Sequence, residues 1–158
     1  MNLPRPNPCS VLAKPLQWMP QWLHSTGLAA VLNRVFADFL VDGGMDFLQG
    51  KTLQILVSDV GIQYRLRFAH RQFAPAGSAA KADVRFSGSL QTFLLLATRR
   101  EDADSLFFRR LLRIEGDTAT GLYLKNFIDA LEELPLPEAA REAIERFTDL
   151  HTRYCTDA

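Results

Sequence analysis

Two neighbouring segments, TLQILVSD and IQYRLRFAH, constrain the fold most strongly because each alternates apolar and polar residues with a period of two. Leu53, Ile55 and Val57 share one face of the first segment, and the apolar residues of 62–68 share one face of the second. Residues 59–61 form the turn between them. The pattern predicts a β-hairpin with one apolar face and one face exposed to water.

A third strand is predicted over ADVRFSG, where Val84 and Phe86 share one face while Asp83 and Arg85 share the other. A loop rich in Gly, Ala and Pro, residues 75–80, separates this segment from the hairpin. The hairpin and the third strand therefore belong to one sheet in our interpretation.

A fourth strand is predicted over FRRLLRIE, with Phe108, Leu112 and Ile114 on one face and Arg110 as the exception to the alternation. The other arginines of the sheet alternate along strands, which indicates a solvated face. If one arginine contacts a ligand, Arg110 is the best candidate, because it lies on the otherwise apolar face. A lone cation at the edge of an apolar cavity suits a lipid headgroup or a polar quinone-precursor ring.

Helical periodicity predicts four helices, at residues 28–41, 90–100, 118–134 and from about 138 onwards. Gly43 and Gly44 end the first, Ser89 is expected to cap the second, and Asp117 or Thr118 the third. Because strands and helices follow one another unevenly, the order favours an α+β fold with a mostly antiparallel sheet of about four to five strands.

The composition excludes several classes of protein. The chain has 158 residues, which suits one globular domain, and 18 basic residues balance 18 acidic ones, which gives no overall attraction to nucleic acid. The longest apolar runs, LAAVL and FLLLA, fall far short of the roughly 18 residues of a membrane-spanning helix. No cleavable signal is apparent, so we expect a cytoplasmic protein, with peripheral contact with the inner membrane left open.

The N-terminal 27 residues are expected to form a proline-rich arm, since repeated prolines permit only short helical pieces. This arm contains Trp18 and Trp22, which either cap the domain core or form a membrane-interface foot. Core capping is favoured, because Lys14 alone lies nearby to meet anionic headgroups. The predicted plan is an arm at 1–27, a binding domain at 28–134 and an amphipathic C-terminal helix at 135–158.

Catalytic and metal-binding motifs are not found in the sequence. SGS at 87–89 lacks the flanking glycines of a nucleophile elbow, and no glycine-rich phosphate loop occurs. The groups that bind metals or carry redox chemistry are scattered: His24, His70, His151, Cys9 and Cys155. We therefore expect no metal, no cofactor and no enzymatic activity, while the redox state of the cysteines stays open.

The run LFFRRLLRIEGDTATGLYLKNFIDALE, with ADVRFSGSLQTFLLLATRREDADS and DFLQGKTLQILVSD, resembles the type-two sterol carrier protein domain, in particular its ubiquinone-biosynthesis branch in proteobacteria. The resemblance covers residues 28–134. It implies an α/β sandwich whose sheet and helices enclose a hydrophobic tunnel. It also implies a non-catalytic accessory factor of oxygen-independent ubiquinone biosynthesis, which carries prenylated intermediates or phospholipid alongside UbiU- and UbiV-type proteins.

Given this resemblance, bulky apolar side chains are expected to line a lipid-binding cavity, although a close-packed core is the ordinary alternative. Each buried methylene of a ligand chain contributes ~0.8 kcal/mol to binding, so we expect the cavity to accept apolar chains of many kinds. The expected lining residues are Phe86, Phe93, Leu94, Leu96, Phe107, Phe108, Arg110, Leu112, Ile114, Leu122, Phe127 and Ile128.

Two alternatives to a lipid carrier are weighed. The first is an interaction scaffold with a solid core, which recruits partners through the C-terminal helix and the Trp18/Trp22 edge. The second is a lipid-modifying enzyme that uses the dispersed residues His70, Asp83 or Asp117. The identity of the lipid and the oligomeric state are not determined by the sequence.

Overall fold

The computed structural model describes residues 17–155, which form one mixed sheet with helices packed on it. The strands are β1 (Thr52–Val57), β2 (Ile62–Ala69), β3 (Gln72–Pro75), β4 (Val84–Gly88) and β5 (Arg113–Gly116). The helices are α1 (Gln21–Val35), α2 (Ala37–Val41), α3 (Leu90–Ala97), α4 (Ala103–Phe108), α5 (Thr118–Ala130) and α6 (Glu138–Cys155), with a 3₁₀ turn at Asp46–Leu48.

The strand order is β3-β2-β1-β4-β5, and every neighbouring pair is antiparallel except β1 with β4. The predicted hairpin is confirmed, with Ile55 opposite Tyr64. An α+β fold with a mostly antiparallel sheet is also confirmed. Strand β3 was not predicted, because its four residues, QFAP, are too few to show alternation and end in proline.

The predicted strand at 108–115 is wrong over its first half. Asp102 caps helix α4, and its side chain accepts a hydrogen bond from the Ser105 N–H at 2.8 Å. Phe108 therefore ends a helix, and Arg110 follows in a left-handed turn with a φ of 61° before β5 begins at Arg113. Arg110 thus does not share a strand face with Ile114, contrary to our expectation.

Helix α1 begins at Gln21, earlier than the predicted start at Leu28, and stops at Val35, so the predicted helix at 28–41 is two helices. Helix α1 runs along the edge of the sheet and satisfies its backbone groups. The Ser25 hydroxyl accepts from the Arg65 N–H at 3.0 Å. The Asn33 amide donates to the Phe73 carbonyl and accepts from the Phe73 N–H, both at 2.8 Å.

Helix α5 is anchored at both ends. Asp117 caps it as predicted, and its carboxylate accepts from the Thr120 N–H at 3.2 Å and from Lys51 Nζ at 2.8 Å. The Lys51 ammonium, with help from Thr120, holds the pKa of Asp117 well below its ordinary value of 3.8, and Asp117 raises the pKa of Lys51. The helix ends at Ala130 rather than at the predicted residue 134. At this end the Arg99 guanidinium donates hydrogen bonds to the carbonyls of residues 128, 129 and 131.

Gly121 lets α5 approach the sheet closely. A Cβ atom at this position would lie 3.0 Å from Cγ2 of Val84 and would collide with Cγ2 of Ile114. A glycine inside a helix normally costs about 1 kcal/mol relative to alanine. Here its lack of a side chain allows helix and strand to pack in direct contact.

Helix α6 packs on α3 through polar contacts. Arg100 bridges Glu145 at 2.6 Å and Asp149 at 2.7 Å, and the amide of Gln91 donates to the hydroxyl of Thr152. Three apolar residues of α6 are at least half exposed, namely Phe147, Leu150 and Tyr154, whereas Ile144 is partly buried.

Candidate functional site

The inner face of the sheet is covered by two helices that stand apart. Helix α1 packs on β2 and β3, whereas α5 packs on β4 and β5. The main helix contacts therefore fall on either side of the central strand β1. We call the space above β1, between α1 and α5, the interhelical cleft.

Burial along the inner face differs from one row of side chains to the next. The row of Leu53, Leu66 and Val84, which are paired across three strands, is 4% exposed or less. The row of Val57 and Ile62 is also buried. In the row between these two, Phe86 is buried but Ile55 and Tyr64 are partly exposed. Because side chains between two packed layers are normally buried, this row indicates a gap above it.

The walls of the cleft are also apolar and incompletely buried. Their side chains pack against the core cluster yet keep part of their surface accessible, and they come from α1 (Leu28, Leu32), α3 (Phe93) and α5 (Leu124, Phe127). An enclosure lined by leucine and phenylalanine favours apolar chains.

Aromatic rings close one side of the cleft. Phe127 of α5 meets Phe36 and Phe39 with ring centroids 6.1 and 5.3 Å apart, and it meets Phe47 at 6.3 Å. Rings at these distances pack edge to face or tilted and add to the stability of the cluster. The sequence predicted Phe127 as a lining residue, but the contacts that hold it come from a different part of the chain.

Tyr64 and His24 are the polar groups near the partly exposed row. Burial raises the pKa of the Tyr64 phenol, so the hydroxyl stays protonated at neutral pH and can donate a hydrogen bond. The His24 ring packs edge-on to the Tyr64 ring at a centroid distance of 6.0 Å. These two side chains mark a point where the apolar cleft meets a more polar surface.

The structure distributes the predicted lining residues over three environments. Phe86, Leu94 and Leu112 are buried in the protein interior. The partly buried residues are Phe93, Leu96, Phe107, Ile114, Phe127 and Ile128, and those exposed to solvent are Phe108, Arg110 and Leu122. Phe86, Phe93, Ile114 and Phe127 come together on the inner side, whereas Phe108, at 77% exposure, packs beside Phe107 on the outside.

Sequence reasoning assigned Ile55, Leu28 and Leu32 to apolar faces but not to a site. The alternation and the helical spacing reveal which residues face inward. They contain no signal that separates a fully buried residue from one that borders a gap. That distinction depends on how far apart α1 and α5 stand.

Two surface pockets accompany the cleft. One, of about 160 Å³, lies between α3 and α6 and is bordered by Arg99, Leu134 and Ile144. The other, of about 290 Å³, lies beneath the first turn of α1 and is bordered by Gln21, His24 and other residues. Neither is lined by the residues that the sequence predicted for the cavity.

The two tryptophans do not cap the core. Trp18 is 90% exposed and Trp22 is 63% exposed, so the favoured interpretation of these rings is wrong. Their contact with a membrane stays a prediction. Residues 1–16 of the predicted arm, including Cys9, lie outside the described residues.

Within residues 17–155, no helix combines the length and apolar character needed to cross a bilayer. The same part of the chain has no cluster of three His, Cys, Asp or Glu side chains placed to hold a metal ion.

Three comparisons relate this fold and site to known proteins. Residues 32–129 match the model of the SCP-2 sterol transfer family. The ubiquinone biosynthesis accessory factor UbiT of Escherichia coli K12 is 38% identical over 140 residues, which cover 89% of this chain and 80% of that protein. The solved structure of a UbiJ-SCP2 ubiquinone synthesis protein superimposes with a TM-score of 0.53 at 22% identity, covering 67% of this chain and 96% of that one, which shows a shared fold.

Proposed function

The chain belongs to the SCP-2 sterol transfer family, and on this premise we propose that it is a lipid-binding accessory factor of ubiquinone biosynthesis. In this proposal the interhelical cleft holds the apolar tail of a prenylated quinone precursor or of a phospholipid. The observation that carries it is the partly exposed row of Ile55 and Tyr64 on the covered face of the sheet. Residues 28–134 would form the binding unit.

The cleft can supply affinity without specific polar contacts. Each methylene that leaves water contributes ~0.8 kcal/mol, so a tail of a few isoprene units gains several kcal/mol from walls of leucine and phenylalanine. Such walls select for apolar character rather than for exact tail length. We therefore expect acyl and prenyl chains of several lengths to compete for the same space.

The proposed role is presentation rather than catalysis. A similar protein is named a ubiquinone biosynthesis accessory factor. A protein that holds a water-insoluble intermediate for soluble enzymes would fit that name. We propose that this occurs in the cytoplasm, in the oxygen-independent route to ubiquinone, and that UbiU- and UbiV-type proteins receive the cargo. Peripheral contact with the inner membrane through Trp18 and Trp22 would allow loading, since both rings are exposed.

A pair of tryptophan substitutions tests the cleft. Ile55→Trp places a large ring in the space above β1, whereas Leu56→Trp places the same ring on the opposite face of the same strand. Native mass spectrometry of freshly purified protein should show a bound species of several hundred daltons in the wild type and in the Leu56 variant. The Ile55 variant should lack it. Retention of the species by both variants would contradict the assignment of the cleft.

An interaction scaffold is the second candidate, and the exposed face of α6 favours it. Phe147, Leu150 and Tyr154 present apolar surface to solvent instead of packing on α3. The double change of Phe147 and Leu150 to serine separates the two functions. A lipid carrier keeps its bound species after this change, whereas a scaffold loses its co-purifying proteins and its activity in cells.

A further inference from the structure

Polar side chains of helix α1 hydrogen-bond to backbone groups at the edge of the sheet, but the polar side chain at the start of the helix has no such partner. Asn33 and Ser25 hydrogen-bond to backbone groups of β3 and β2. Gln21 lies one turn before Ser25 on the same side of α1 and is the next polar side chain in this line. Its Nε2 atom is buried and has no hydrogen-bond partner.

Backbone groups of β2 near Gln21 point away from the neighbouring strand β1. The Arg65 N–H donates to Ser25 and the Arg65 carbonyl accepts from the Ala76 N–H, so both groups point away from β1. In a strand, backbone groups two residues apart point to the same side. The N–H and carbonyl of Gln63 therefore point towards α1, and Gln63 borders the pocket of about 290 Å³ beneath it.

This pocket, which we call the edge pocket, combines hydrogen-bonding groups with apolar surface. It is lined by Gln17, Met19, Gln21, His24, Gly61, Ile62 and Gln63. The Gln17 amide closes one side by donating to the Val60 carbonyl at 2.6 Å. A cavity of roughly 150 Å³ already accommodates a benzene ring, so the edge pocket has room for a substituted six-membered ring.

The edge pocket adjoins the interhelical cleft. His24 lines the pocket, and its ring packs against Tyr64 of the partly exposed row. Ile62 lines the pocket from the inner face of β2, the face on which Tyr64 also lies. A molecule with its tail in the cleft can therefore place its head among the glutamines.

We propose that the edge pocket binds the uncharged, oxygen-bearing ring of a phenol or quinone, with Gln21 Nε2 donating a hydrogen bond to a ring oxygen. This inference rests on the proposed function for the tail, and it adds the class of headgroup and the place where it binds. A buried donor without a partner is unfavourable, and a hydrogen bond to a ring oxygen would satisfy it. The methionine and isoleucine side chains would contact the faces of the ring.

The lining favours a neutral head over a phosphate. Within the described chain, the pocket-lining residues include no lysine, arginine, aspartate or glutamate, and His24 is the one side chain among them that can carry a charge. Phosphate groups are bound preferentially by arginine and lysine, which provide charge-assisted hydrogen bonds. Neutral amide donors match a carbonyl or hydroxyl oxygen, whose transfer from water costs far less than that of an anion.

The test compares Gln21→Met, which keeps the size of the side chain and removes its amide, with Gln49→Met at an exposed position outside the pocket. A ubiquinone analogue with one isoprene unit should bind the Gln21 variant roughly threefold to tenfold more weakly than the wild type, the range for one neutral hydrogen bond. The Gln49 variant should bind it like the wild type. The isoprenoid hydrocarbon farnesene should bind all three proteins equally.

Side-chain amide NMR signals separate the head from the tail. A tail-free dimethoxy-methyl-benzoquinone should shift the Gln21 signals, and inorganic phosphate at the same concentration should shift them less. The proposal is overturned if the quinone ring leaves those signals unchanged, if phosphate shifts them more, or if both methionine variants bind the analogue equally. Failure of farnesene to bind would refute the proposed cleft, while the response of Gln21 to the ring would still decide this inference.

Discussion

Replacing Ile55 by alanine should cost much less folding stability than replacing Leu53, which lies two positions earlier on the same face of β1. Leu53 is 4% exposed, and truncation of a buried leucine costs about 2–5 kcal/mol, so we expect about 3 kcal/mol. Truncation of Ile55 removes about three carbons at ~0.8 kcal/mol each, a loss of about 2.4 kcal/mol for a fully buried side chain. Because Ile55 is partly exposed beneath the cleft, we expect about 1 kcal/mol.

Urea unfolding of delipidated protein, followed by circular dichroism, measures both losses. The slopes of the transitions must agree with that of the wild type, so that the difference reflects the folded state. The Leu53 variant should be less stable than the Ile55 variant by about 2 kcal/mol. Equal losses near 3 kcal/mol would refute the cleft, because they would show that Ile55 is packed like any other core residue.

Three further substitutions test other parts of the structure. The folded-state pKa of Asp117 lies below 3.8, so ionised Asp117 stabilises the fold above that pH and loses this effect as the pH falls further. The urea midpoint should therefore fall less between about pH 5 and pH 2.5 in the Asp117→Asn variant than in the wild type. Lys125, whose side chain is 5% exposed, pairs with Asp104 and Asp129, whose side chains are 56% and 21% exposed. Because water can solvate the carboxylates left behind, Lys125→Met should cost only about 1 kcal/mol in urea unfolding, and Lys81→Met at an exposed site should cost almost nothing. Gly121→Ala should lower the melting temperature despite alanine's helix propensity, and an increase would contradict the close helix-strand contact.

Local patterns predicted the elements whose signals are contained in a few residues. Alternation at 53–57 and 62–68 identified the hairpin, and Asp117 and Ser89 were recognised as helix caps. Residues 108–112 were predicted as strand because FRRLLRIE alternates partly by chance, whereas the Asp102 cap starts a helix that ends at Phe108. Strand β3 forms because it pairs with β2, a contact that its own four residues do not encode.

Only some of the predicted lining residues lie together on the inner side of the fold, for a similar reason. Phe93 and Phe127 were recognised from their bulk and helical position, and they do lie on the inner side. Arg110 and Phe108 were placed on the same face of a predicted strand that begins only at Arg113, and both are exposed. The edge pocket escaped detection because Gln21 and Gln63 are far apart in sequence and ordinary in composition.

Sequence alone determined the class of fold and the family, because period-two and helical patterns record which side of each element avoids water, and the run at 106–132 is specific in order and spacing. Tertiary structure decided where the inner surface stays open. The separation of α1 from α5 follows from what each helix packs against. Hydrogen bonds of Ser25 and Asn33 hold α1 to the edge of the sheet, and Gly121, which has no side chain, lets α5 pack closely on β4 and β5. The gap depends on the distance between the two helices on the sheet, and no residue pattern along the chain specifies that distance.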